Sequence, residues 1–326
     1  MPPFLYAAAI VPLPLAVGPA MSASLGWSGR ATLMFTATLI AAGRLTPNTL
    51  GAAELALADA GCAPAALGWI DEGDAADLHF GMAPDAARRA LEGVFDGVDV
   101  VVQPLAGRRK MLLVADMDST MITVECIDEL ADYAGIKPQI AAITERAMRG
   151  ELPFAAALDE RVALLRGLDA GVIDACLADR VRIMPGAKAL VRTMRGWGAR
   201  AVLVSGGFTR FADPVAARIG FDRAIANVLE IENGVLTGAV GRPIVGSDTK
   251  EATLCAERDA LSLAPDATLA VGDGANDLAM IAVAGLGVAY HAKPVVAAAA
   301  AARIDHGDLT ALLWAQGVPR REWAPA

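Results

Sequence analysis

The apolar positions of this chain follow two periods, and where the period changes defines its units. The run Met34-Phe35-Thr36-Ala37-Thr38-Leu39-Ile40 reads as a strand, and 46–60 reads as a helix closed by Gly61. A similar set follows: strand-like 67–70 and 76–80, helical 83–95, then the β-branched run Val98-Asp99-Val100-Val101-Val102. These predict a small α+β module over 34–105. Its border lies near 103–110, where Pro104, Gly107 and three successive basic residues interrupt the pattern. From 111 onward short apolar strands, at 111–115, 201–204, 268–271 and 287–289, alternate with helical segments. That alternation predicts an α/β core over 111–310, a parallel sheet with helices on both faces. Between its first two strands, 122–177 is helical with no strand signal, an insertion fit to cap a site. Asn233-Gly234 between alternating runs predicts a hairpin over 226–240. Residues 311–326 read as a tail, and no internal repeat is visible.

Length and composition narrow the picture. A chain of 326 residues exceeds the usual size of one core, so two domains are expected. With 55% hydrophobic and 20% charged residues, disorder over most of the length is excluded. The net charge of −9 argues against nucleic-acid or anionic-membrane surfaces and favours a small-molecule partner. Cys62, Cys126, Cys176 and Cys255 are scattered without a CxxC pair, so reduced thiols are expected and no zinc site. The apolar stretch 4–20 is broken by Pro12, Pro14 and Pro19 and has no basic residue before it. Residues 1–33 therefore read as a poorly structured leader, neither signal peptide nor membrane helix, dispensable for a fold starting at Met34. The cytoplasm is the expected location.

The candidate chemistry sits where strands end. The first core strand runs into Asp116-Met117-Asp118, the second into Ser205-Gly206-Gly207, the third into Gly272-Asp273-Gly274-Ala275-Asn276-Asp277. In parallel sheets ligands bind beyond the carboxyl ends of strands, so these segments should converge. Carboxylates gathered there repel unless a cation joins them, and an all-oxygen set without histidine suits magnesium. One carboxylate could attack phosphorus while another handles the proton. Each segment alone has an ordinary reading as well. Asp-x-Asp is common in turns and caps, Ser205 suits a helix N-cap before Thr209, and Pro214 falls in that helix's first turn or kinks it. Lys250 follows the helix-start residues Ser247 and Asp248, where a cation opposes the helix dipole, and a solvated surface lysine is its commonest interpretation.

Taken together, Asp116-x-Asp118-x-Thr120, Ser205, Lys250 and Gly272-Asp273-Gly274-x-Asn276-Asp277 resemble, in order, the four motifs of the haloacid dehalogenase superfamily. The second aspartate of the first motif resembles its phosphatases and phosphotransferases. Met121, Ile122, Glu125, Phe154, Arg161 and Ser205-Gly206-Gly207-Phe208 are similar to the phosphoserine phosphatase branch, over about 111–306. The resemblance implies a core of that type with a helical cap, and the amino-terminal module is similar in placement to an ACT-like domain. It implies Asp116 as nucleophile and Asp118 as acid/base, with magnesium held by Asp116, Asp273 and the backbone carbonyl of Asp118. Ser205, Gly206, Lys250 and Asn276 would meet the phosphoryl group. Glu125 and Arg161 offer the carboxylate and guanidinium that a ligand with an ammonium and a carboxylate requires. Phe154 and Met148 would form a water-excluding lid.

The implied reaction is hydrolysis of O-phospho-L-serine, the last step of serine biosynthesis, by a phosphoric monoester hydrolase, and a homodimer is compatible with it. Two other readings stay open. One is the same chemistry, or phosphotransfer, on another small phosphomonoester such as phosphohomoserine. The other is a regulatory binding protein with a degenerate core.

Overall fold

The computed structural model describes residues 34–149 and 151–325, apart from the Met148 side chain. The leader expectation for 1–33 lies outside the described residues, as does the lid role of Met148.

The first elements are β1 (Phe35–Ile40), α1 (Pro47–Asp59), β2 (Pro64–Asp71), β3 (Ala75–Phe80), α2 (Pro84–Leu91) and β4 (Asp99–Pro104). Helix α1 starts where an extended Thr46 accepts a hydrogen bond from the Thr49 N–H at 3.2 Å and Pro47 supplies a pre-set φ. The strands form an antiparallel sheet in the order β2-β3-β1-β4, a split β-α-β arrangement. Leu39, Leu78, Phe80 and Val100 on one face pack with Leu50, Leu57 and Leu91 of the two helices. The other face carries Thr36, Thr38, Asp77 and Gln103, all buried.

The core begins with β5 (Leu112–Ala115). Four helices follow without a strand between them: α3 (Cys126–Tyr133), α4 (Lys137–Met148), α5 (Phe154–Ala163) and α6 (Gly171–Asp179). Then come α7 (Ala187–Gly196), β6 (Arg200–Phe208), α8 (Thr209–Ile219), β7 (Arg223–Asn227) and the hairpin β8 (Leu229–Glu232) and β9 (Val235–Val240). The remainder is α9 (Ser247–Ala260), β10 (Thr268–Gly272), α10 (Leu278–Val283), β11 (Leu286–Tyr290), α11 (Pro294–Ala299), β12 (Ala302–Ile304) and α12 (Ala311–Ala315). Six parallel strands form one sheet in the order β12-β11-β10-β5-β6-β7. All of β5, β10 and β11 is buried, as a doubly covered parallel sheet requires. Since β10 lies on one side of β5 and β6 on the other, the chain reverses its direction of winding at β5, the place where such sheets open a crevice. Helix α8 continues through Pro214.

The sequence reading differs from the structure at the edges. Strands β7 and β12 carried no recognised signal, being short and flanking. Of residues 311–326, expected as a tail, the first part is packed: every residue of α12 is buried, and the Ala315 carbonyl accepts from Gln103 Nε2 and Arg108 Nε, each at 2.7 Å. Arg108 also pairs with Asp77 at 2.6 Å and donates to Thr38 Oγ1 at 2.8 Å, so Thr38, Asp77 and Arg108 satisfy one another, whereas Gln103 Oε1 on the same face has no partner among the described residues. Among the described residues no helix is long and apolar enough to cross a membrane.

Candidate active site

The ends of β5, β6 and β10 bring the sequence-selected residues together. Asp116, directly after β5 and 5% exposed, is fixed by its own backbone N–H, which donates to the Val271 carbonyl at 3.0 Å. Its Oδ1 accepts from the Met117 N–H at 2.7 Å. Lys250 in the first turns of α9 is fully buried, with Nζ 2.7 Å from Asp116 Oδ1 and 2.6 Å from Asp277 Oδ1. It is thus no surface lysine. Burial opposes its charge, but the two carboxylates outweigh that and hold the ammonium pKa above its ordinary value.

Oxygens of Asp116, Asp273 and Asp277 lie within 4.8 Å of one another, a cluster that could hold a divalent cation. Burial, then the Asp116 charge, pushes Asp273 up to about 6 and Asp277 up to about 7. Thr120 Oγ1 donates to Asp273 Oδ1 at 2.8 Å and works the other way. An oxygen-only, carboxylate-rich set in which burial and mutual repulsion raise Asp273 and Asp277 is what a hard cation would relieve. Asp277 also accepts from the Gly274 N–H at 3.0 Å, and the Asn276 amide oxygen fills the space beside Gly274.

Asp118 stands outside that cluster. Its Oδ1 accepts from the Cys126 N–H at 3.4 Å, and a Cβ added at Gly207 would stand 3.0 Å from both Asp118 Oδ2 and Ser205 Oγ. Asp118 and the strand end of β6 therefore face each other across a glycine. Desolvation, then Glu125 and Asp116, hold the Asp118 carboxyl well above the usual carboxylate range. Ser205, 1% exposed, accepts from the Gly207 N–H at 2.9 Å.

The helical insertion covers this floor with three of the selected residues. Glu125 precedes α3 and accepts from Ser119 Oγ at 2.7 Å; burial raises its pKa, and Asp116 and Asp128 add to that against the Ser119 bond. Arg161 donates to the Ala157 carbonyl at 3.2 Å and forms no carboxylate ion pair among the described residues. Burial lowers its pKa, opposed by the charges of Asp128 and Glu125. Phe154, 38% exposed, reaches down to β6, where a Cβ at Gly206 would stand 3.1 Å from its Cζ.

Two residues escaped the sequence reading. Lys293, whose N–H donates to the Asp273 carbonyl at 3.4 Å, contributes positive potential at Glu125. Asn227, 1% exposed at the end of β7, hydrogen-bonds to Gly206 and Val245. A lone lysine before proline and a lone asparagine ending a strand carry no sequence signal of their own.

Comparison with known proteins places this geometry. The chain is 47% identical over 207 residues to a phosphoserine phosphatase of Albidiferax ferrireducens, covering 62% of this chain and 87% of that one. It is 46% identical over 227 residues to a phosphoserine phosphatase of Mycobacterium tuberculosis, covering 69% of this chain but only 55% of that longer protein. The crystal structure of a haloacid dehalogenase family hydrolase from Salmonella enterica superposes with a TM-score of 0.76 at 29% identity, covering 86% of this chain and 97% of that one. A profile of haloacid dehalogenase-like hydrolases matches residues 113–282, which run from β5 through the helical insertion and the three strand ends that carry the candidate residues into α10. Fold, strand-end carboxylates and family profile agree: the chain belongs to the haloacid dehalogenase-like hydrolase family.

Proposed function

We propose that this protein hydrolyses O-phospho-L-serine to L-serine and phosphate through a phosphoryl group carried on Asp116. The observation that carries the reading is a site with two chemically different ends. One end gathers Asp116, Asp118, Ser205 and Lys250. The other presents Glu125 and an Arg161 without a carboxylate partner among the described residues. A ligand with phosphate at one end and an ammonium and a carboxylate at the other would satisfy both. The names of the relatives point to the same substrate.

Magnesium, held by Asp116, Asp273 and the Asp118 backbone carbonyl, would supply positive charge against the phosphate oxygens. Asp277, drawn to Lys250, completes the acidic cluster. Lys250 holds the Asp116 carboxylate in place, and with Ser205 it meets the phosphoryl oxygens. The Asp116 carboxylate attacks phosphorus and the bond to the serine oxygen breaks. Asp118, whose raised pKa keeps its proton available, protonates that leaving oxygen. In the second half Asp118 takes a proton from the water that hydrolyses the acyl phosphate, which releases phosphate and restores Asp116. Glu125 accepts the substrate ammonium, Arg161 its carboxylate, and Phe154 shields the cleft from water.

Phosphate release from L-phosphoserine with magnesium, measured against Asp116→Asn, tests the reading. Turnover should fall at least ~10⁴-fold in that variant. Wild-type release no faster than the variant's would refute it. Glu125→Ala should lose phosphoserine hydrolysis while keeping hydrolysis of an aryl phosphate, and equal losses on both would remove Glu125 from its role.

A further inference from the structure

Strand β7 ends in a side chain that behaves as a piece of backbone. The β6–β7 ladder is irregular between Val204 and Phe208, the segment that carries Ser205, Gly206 and Gly207. Asn227, paired with Phe208, fills that interruption with its amide: Nδ2 donates to the Gly206 carbonyl at 2.9 Å. The same amide turns its other groups to the loop before α9. Nδ2 donates to the Val245 carbonyl at 3.0 Å, and Oδ1 accepts from the Val245 N–H at 2.8 Å. Both donors and the acceptor are thus used in a site 1% exposed to solvent. Val245 is followed by Gly246, the N-cap of α9, whose carbonyl accepts from the Lys250 N–H at 3.1 Å.

One amide therefore joins the strand end bearing Ser205 to the loop that launches Lys250. The two segments it joins also form the surface beneath Phe154. Its ring stands 3.1 Å from a Cβ built at Gly206 and 3.3 Å from one built at Gly246. Among the described residues Asn227 hydrogen-bonds to none of the site carboxylates.

We propose that Asn227 is a positioning residue for phosphoryl transfer, setting the separation of Ser205 and Lys250 across the phosphoryl pocket. The inference rests on the reading that these two residues hold the phosphoryl group. Glutamine carries the same amide one methylene further out, and no other side chain offers two donors and an acceptor on one planar group. Aspartate loses both donors and sets a carboxylate against two carbonyl oxygens, leucine keeps the shape without any bond, and alanine leaves three backbone groups buried and unmatched.

Asn227→Ala and the milder Asn227→Ser, each in the full chain with magnesium, test this on p-nitrophenyl phosphate, with orthophosphate and L-serine as separate inhibitors. Loss of these bonds should lower kcat and raise the orthophosphate inhibition constant, each ~10-fold or more in the alanine variant. The L-serine constant should stay within about 2-fold, because serine meets the cap end. A variant that is less stable yet keeps wild-type kcat and orthophosphate affinity overturns the proposal, as does an equal weakening of both inhibitors. In the unaltered protein the Asn227 side-chain amide resonance should move on saturation with orthophosphate and hold still with L-serine. A resonance unmoved by orthophosphate also overturns it, whether or not either variant folds. If wild-type protein ignores L-serine and phosphoserine, the substrate reading fails, while the aryl phosphate and orthophosphate arms still decide the role of Asn227.

Discussion

The floor of the site and its cap are built on opposite principles. Asp116, Ser205 and Lys250 on the floor are at most 5% exposed, and the Lys250 charge is shared between two carboxylates. In the cap Phe154 is 38% exposed, and Arg161 reaches only a carbonyl of its own helix, with no carboxylate ion pair among the described residues. Lys250 and Asp116 answer each other within the protein, whereas the cap's guanidinium has no carboxylate partner among the described residues. Chemistry common to a whole family suits the first arrangement, and choice of substrate suits the second. On the function proposed above, preorganisation and selectivity are divided between sheet and insertion.

The largest effect expected from breaking this division is on the floor. Lys250→Met leaves two buried carboxylates facing each other and should destabilise the fold by about 3–5 kcal/mol, with loss of activity on every phosphomonoester. Urea unfolding with and without the substitution measures it, and a change under about 1 kcal/mol would show that the pair contributes little. Next comes the cap. Arg161→Ala should raise KM for phosphoserine ~30- to 100-fold, the worth of a charge-assisted bond, while stability moves by less than about 0.5 kcal/mol. A comparable loss on an aryl phosphate would show that the guanidinium serves the chemistry and not the choice of ligand.

The smallest effect is one of pH. In the metal-free protein Asp273 and Asp277 are raised to about 6 and about 7. Over that window the folded chain binds more protons than the unfolded one, so stability of the metal-free protein falls as pH rises from the ordinary carboxylate range to about 7. Divalent cation binding needs the same groups deprotonated, so its affinity rises over the same interval. A hundredfold excess of magnesium over Kd should stabilise the fold by about 2.7 kcal/mol, and a fixed magnesium concentration should raise Tm more at pH 8 than at pH 5.5. Asp273→Asn should weaken that increment, and equal increments at both pH values would contradict the assignment.

How much of this could be read from the chain alone depended on the kind of signal. The strands β5, β6 and β10 are continuous apolar runs ending in polar residues, so their convergence followed from topology alone. Lys250 was different. Its local context favours a solvated side chain, and only Asp116 and Asp277, 134 and 27 residues away in sequence, make burial favourable. Asn227 was illegible because its partners are peptide groups, which every residue has. Helix α12 reads as a tail in the sequence because five apolar residues are too few to show a helical period, and the groups that hold it lie more than 200 residues upstream.

That last feature bears on how the molecule is made. A ribosome delivers residues 34–105 early and 311–320 late. Until the late segment emerges, Gln103 and Arg108 lack the Ala315 carbonyl, Arg108 also lacks that of Trp314, and Asp71 lacks the Trp314 indole N–H. The first sheet can be laid down early on its helices, but its second face is completed only when synthesis is nearly over. A nascent chain stalled before residue 311 would hold an assembled module with one wet side.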